Sequence, residues 1–173
     1  MGWLRKIHAA SLWPAAWLAG VLLVVAGCTP APEPVTVRVA DGSEALGGLD
    51  RVVVTFHEAG IHRQGQPRDE GWTDIPLTAP TIDLGAAGAA GTPVAVGTLG
   101  AGPYDRVRVE VESAYGERGG QRVPIRNMVE PIYLPAPLKG GLADITLELI
   151  VLPLLNPYAE ERYAIYTKGV AVR

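Results

Sequence analysis

The stretch Tyr104-Asp-Arg-Val-Arg-Val-Glu-Val-Glu-Ser113 alternates with a period of two. Valines fall at 107, 109 and 111, and Arg106, Arg108, Glu110 and Glu112 fall between them. A helix repeats every 3.6 residues and would scatter these valines around its surface. A strand places them all on one face, against a core, and sends the charges to the other. Two bases followed by two acids on the outer face, headed by Tyr104, suit pairing with a neighbouring strand. The same rhythm occurs at Val35, Val37 and Val39, at Val52, Val54 and Phe56, and at Ile145, Leu147, Leu149 and Val151. Ile61-His62-Arg63 extends the second of these strands or starts a short one. Shorter strands are expected around Trp72–Ile75, Thr81–Leu84, Val94–Leu99, Arg122–Ile125, Pro131–Leu134 and Tyr163–Arg173, with a bulge at Gly169. No segment after residue 34 sustains an apolar 3.6-residue period, and Gly/Pro turn signals recur at short intervals. The pattern predicts an all-β domain, an antiparallel β-sandwich.

Composition narrows what such a domain can do. At 173 residues the chain has room for one domain of ordinary size, and 48% hydrophobic residues against 19% charged exclude wholesale disorder. The net charge is −3, so no basic excess exists to neutralise phosphates, and a nucleic-acid partner is not expected. The single cysteine excludes an intramolecular disulfide framework and a cysteine-rich metal cluster.

That cysteine sits at an informative place. Arg5 and Lys6 form a cationic start, and an apolar run through Val24-Val25 follows, with Pro14 interrupting it. This is the layout of a secretory signal. Val25-Ala26-Gly27-Cys28 resembles the lipobox of bacterial lipoproteins. The resemblance implies cleavage before Cys28, diacylglycerol on its thiol and acylation of the new amino terminus. Residues 1–27 then form a signal peptide, and 28–34 form a lipidated cysteine with a Pro-rich tether (Thr-Pro-Ala-Pro-Glu-Pro). The β domain covers 35–173. The membrane, reached through Cys28, is the first expected partner.

Five segments carry a further resemblance. They are Val37-Arg-Val-Ala-Asp41, Leu49 to His62, Gly71-Trp72-Thr73, Leu99-Gly-Ala-Gly-Pro-Tyr104 running on to Val111, and Tyr163 to Arg173. In this order they resemble the DUF4382 family of bacterial and archaeal lipoproteins, over roughly residues 35–173. The resemblance implies a β-sandwich (immunoglobulin/prealbumin-like) and supplies no catalytic residue. Members often carry an acid after Thr-Leu-x-Leu, whereas this chain continues Thr146-Leu-Glu-Leu-Ile-Val-Leu-Pro-Leu-Leu155.

Residues able to carry chemistry are few. His57 and His62 are five apart on one strand and so face opposite sides. A shared metal would need a bend at Gly60, and no metal site is expected. Glu110 and Glu112 share a face without a cleft between them, and salt bridging to Arg106 or Arg108 is the simpler role. Asp41, Glu44 and Asp50 share a loop whose spacing fits no EF-hand. Ser43 and Ser113 lack an adjacent base, and no glycine loop cradles phosphate, so no cofactor is expected. Exposed aromatics among Trp72, Tyr104, Tyr115, Tyr133, Tyr158, Tyr163 and Tyr166 can stack on sugars, although most such residues serve the core. The run Ile150, Leu152, Leu154, Leu155 makes the second face of its strand apolar. It is either covered by loops or a patch for a partner.

The expected function is therefore a non-catalytic one. The chain reads as an extracytoplasmic lipoprotein, anchored to the cell membrane or outer membrane, whose sandwich binds a partner protein or surface glycan. The alternative is a cell-envelope hydrolase acting on glycans or peptides, which requires facing carboxylates or a metal near His57.

Overall fold

The computed structural model describes residues 31–139, 143–155 and 162–173. Among these, the strands are β1 (Glu33–Asp41), β2 (Arg51–Arg63), β3 (Trp72–Asp74), β4 (Thr81–Asp83), β5 (Thr92–Leu99), β6 (Tyr104–Arg118), β7 (Gln121–Met128), β8 (Ile132–Leu138), β9 (Ala143–Pro153) and β10 (Tyr163–Val172). Helix is confined to a 3-10 turn at Leu46–Gly48 and a single turn, α1 (Leu84–Ala87), whose first turn Asp83 caps by accepting from the Ala86 N–H. β1 begins inside the expected tether. Pro34 is tolerated there because it stands next to the strand's first residue.

The strands join in one path, β3-β2-β6-β7-β10-β9-β1-β5, with β4 also on β2 and β8 also on β6. β7 is the junction. Its first half, Gln121–Pro124, pairs with β6, and its second half, Ile125–Met128, pairs with β10. The two ends of the path are drawn together by the segment after β3. The Ile75 N–H donates to Ala59 of β2, and the Thr78 and Val96 N–H groups exchange bonds between 76–78 and β5. The result is a nearly closed all-β sheet.

Two pairings depart from the expected antiparallel arrangement. β1 runs parallel to β9, Val35 opposite Ala143 through Asp41 opposite Leu149, and β10 runs parallel to β7. Neither pair is joined by a tight turn, so no hairpin forces an antiparallel direction.

One apolar core lies inside. Val35, Val37 and Val39 of β1, Ile145, Leu147, Leu149 and Val151 of β9, and Val52, Val54 and Phe56 of β2 are all buried in it, as the alternation requires. The inward phase then changes along β2 and β6. Phe56 pairs with Val111 and Glu58 with Glu110, which leaves His57 as an extra residue; Thr55 pairs with Ser113, which leaves Glu112 as another. These facing bulges switch β2 from even to odd inward positions (Ala59, Ile61) and β6 from odd to even (Ala114, Gly116). The β10 bulge lies at Thr167–Gly169, as expected.

Tyr104 departs from its expected place on the outer face. Asp105 is a further bulged residue, so Tyr104 turns inward and is buried. Its hydroxyl donates to the Gly100 carbonyl at 3.0 Å, tying the strand start to the chain four residues upstream in the manner of a tyrosine corner.

Candidate functional site

The end of β9 is where the apolar run leaves the core. Ile145, Leu147, Leu149 and Val151 point inward, and Ile150 is half-buried. Leu152 is 46% exposed and Leu155 is 98% exposed, while Leu154 is half-buried and its N–H donates to the Arg162 carbonyl. Exposure of two leucines within four residues costs water structure unless something covers them.

A loop frames this exposed edge. The Gly42 N–H donates to the Leu149 carbonyl at 2.8 Å. Ser43 Oγ accepts from the Val151 N–H at 3.0 Å, and Asp41 Oδ1 accepts from the Ser43 N–H at 2.8 Å. Lys168 Nζ, beside Glu148, donates to the Gly42 carbonyl at 3.0 Å. Gly47, at φ 65°, lets the backbone pass close to β9; a Cβ there would stand 3.1 Å from the Val151 carbonyl oxygen. Together Gly42–Ala45, Gly47, Gly48, Ile150–Pro153 and Lys168 enclose a groove of about 430 Å³. Its walls are mostly hydrocarbon and backbone. Lys168 and Glu44 supply charge at the rim.

The sequence pointed to Ile150, Leu152, Leu154 and Leu155, and the first two line this groove. It did not point to the opposite wall. Ser43, which has no adjacent base to make it a nucleophile, holds the loop onto β9. An Asp-Gly-Ser turn beside a strand is the one signal for that role.

A second cluster lies on the outer face of β2 and β6. His62 is fully buried there, its Nδ1 2.8 Å from Asp105 Oδ1 and its Nε2 2.9 Å from the Pro67 carbonyl. A carbonyl can only accept, so Nε2 donates. The Asp105 bulge is what aims its carboxylate at the ring. His57 is exposed, and the two histidines do not meet. Trp72 packs edge-on to His62 at 5.0 Å, carries the Arg108 guanidinium over its ring at 4.5 Å and donates through Nε1 to the Arg68 carbonyl. Its ring therefore braces the protein itself and is not free to stack on a sugar. Arg108 pairs with Glu58 and lies 3.6 Å from both Asp74 and Glu110. Glu110 is thus a salt-bridge partner, as expected. Tyr133 is 65% exposed, with Arg106 over one face at 4.7 Å.

The loop acids disperse. Asp41 caps Ser43, Asp50 Oδ2 accepts from the Gly119 N–H at 2.7 Å, and Glu44 stands on the groove rim. Among the described residues no group of three or more His, Cys, Asp or Glu side chains is arranged to hold a metal. Cys28 lies outside the described residues. No described helix is long and apolar enough to cross a membrane.

These features define an all-β domain with a loop-framed apolar groove at one end and a braced, charge-paired face elsewhere. The chain belongs to the DUF4382 family, a domain of unknown function, whose family model matches residues 34–154. The match spans β1 through β9; β10, which pairs with β9 from Pro153 to Ile145, lies beyond it. No curated protein and no solved structure matches the chain.

Proposed function

We propose that this protein is an extracytoplasmic lipoprotein, anchored through Cys28, whose β domain is a non-catalytic binding module for a protein partner. In this reading the two halves of the sheet are the layers of an immunoglobulin/prealbumin-like sandwich. The observation that carries the proposal is the parallel register of β1 and β9. β1 starts at the tether, and β9 ends at the groove. The eight steps between the nine residues of β1, at about 3.3 Å each, separate the tether end from the groove end by about 26 Å. An anchor before residue 33 would thus join the domain at the end opposite the exposed leucines. Their natural cover is an apolar segment of another protein, one or two side chains of which fit a groove of this volume. Lys168 and Glu44 at the rim would set its orientation more than its affinity.

The test is the mass of the native assembly. Extracted from membranes in mild detergent, the lipoprotein should run with a stoichiometric partner protein. The Leu152→Asp variant, which puts a charge in the groove wall at a half-exposed position, should run alone at monomer mass. A wild-type protein of monomer mass with no partner overturns the protein-partner reading and leaves glycan binding, for which the exposed Tyr133 is the first residue to test.

A further inference from the structure

We infer that the same end of the domain carries an oxyanion site for a phosphate-type group, formed by Arg118, Arg122 and Arg162 around Tyr163. These four line a cavity of about 280 Å³ with Val123 and Pro124. The tight Gly119–Gly120 turn brings Arg118 and Arg122 close, and the pairing of Tyr163 with Ile125 and Pro153 places β10 beside them.

Arg118 and Arg122 are held without being neutralised. Arg118 Nη1 donates to the Tyr163 hydroxyl at 3.3 Å, and the Arg122 guanidinium lies over the Tyr115 ring at 3.5 Å. A phenol oxygen and a ring face fix a guanidinium in place and leave its charge standing. The described carboxylates around the Arg118 turn are engaged elsewhere. Glu117 and Asp83 both face Arg51, at 3.7 and 2.8 Å, and Asp50 accepts from the Gly119 N–H. Among the described residues none of the three guanidiniums has a carboxylate partner, whereas Arg38, Arg51, Arg106 and Arg108 each do. Three arginines line one small cavity, and like charges held this near one another repel. That arrangement in an acidic chain suits an anion that enters from outside, and forked N–H donors match the oxygens of phosphate. Val123 and Pro124 offer an apolar wall to the carbon part of such a ligand. This inference rests on the arginines alone and stands whether or not the groove binds a protein.

The test uses the full acylated protein in neutral detergent, titrated with pyrophosphate and followed by the arginine Nε–Hε resonances. The expected result is a saturable shift at Arg118 and Arg122. R118Q and R122Q should each weaken half-saturation about tenfold, the scale of one lost charge-assisted bond, with Trp72 emission unchanged as a check on folding. R68Q, at an exposed arginine outside the cavity, should leave it unchanged. The same resonances in nanodiscs separate two sources of the anion. A shift on phosphatidylglycerol without pyrophosphate assigns a lipid headgroup; a shift that needs pyrophosphate assigns a soluble or polymer-borne phosphate. Either supports the site. A titration with no saturable shift overturns it, as does an equal loss in R68Q. Binding that appears only after E160Q/E161Q also overturns it, since the chain's own carboxylates would then be the occupant.

Discussion

If Cys28 is the proposed lipid anchor, replacing it with serine is expected to abolish fatty-acid incorporation and to leave residues 1–27 attached. The argument is chemical. The chain has one cysteine, so one thiol can be alkylated, and a serine hydroxyl is a far poorer nucleophile at neutral pH. Each buried methylene of an acyl chain contributes about 0.8 kcal/mol, so loss of several chains removes an anchor worth many times the thermal energy. Metabolic labelling with palmitate reads the first effect, and the mass of the intact protein reads the second. Label retained in C28S, or removal of residues 1–27 without label, would place the chain outside the lipoprotein class.

Phe56→Ala lowers the stability of the domain by about 3–5 kcal/mol. Phe56 is the only phenylalanine and is 2% exposed. It stands beside the facing bulges at His57 and Glu112, where β2 and β6 change phase, and it pairs with Val111 across the ladder. Backbone held in a bulge cannot close readily around a lost ring, so most of the vacated volume persists as a cavity. Domains of this size have about 5–15 kcal/mol in total, so the variant sits near the unfolding threshold. Urea unfolding of residues 28–173, followed through Trp72, measures it. The other three tryptophans lie in residues 1–27, outside that fragment. A fall below about 1 kcal/mol contradicts the packing described here.

The strands were legible where a single alternation ran without interruption. Val35 to Val39 and Ile145 to Val151 face inward as their spacing dictates, because one period of two has one interior side. The alternation failed as a guide at His57, Asp105 and Glu112. Each of these bulges adds one residue to one strand without the glycine that marks the bulge at Gly169, so Ala59, Ile61 and Tyr104 turned inward against the simple count. Strand direction was also hidden: β1 and β9 lie about a hundred residues apart in the chain, and neither residue type nor spacing records which way such strands run. For the groove, the sequence displayed the apolar wall, Ile150 and Leu152, since two apolar faces on one strand are visible in a string of letters. The wall built by Gly42 to Gly48 depends on the Gly42 N–H bond to the Leu149 carbonyl and the Val151 N–H bond to Ser43 Oγ, for which the Asp-Gly-Ser turn is the one signal.

The residues that carry the family resemblance have mostly framework roles. Val37 and Val39 are core, Asp41 caps the loop, His62 and Trp72 pack together, and Tyr104 ties its strand to Gly100. Gly71, at φ 72°, makes the turn that brings Trp72 over His62. A shared framework specifies the fold and leaves the ligand to the surface around it.

The central claim is that the exposed end of β9 meets a protein on the side away from the anchor. A photo-crosslinking amino acid placed at position 155 in the full-length protein, activated in intact cells, tests it most directly. The account predicts a discrete protein adduct that Leu152→Asp abolishes, and no lipid adduct. Crosslinking to lipid alone would contradict it, by showing that the groove end rests on the bilayer.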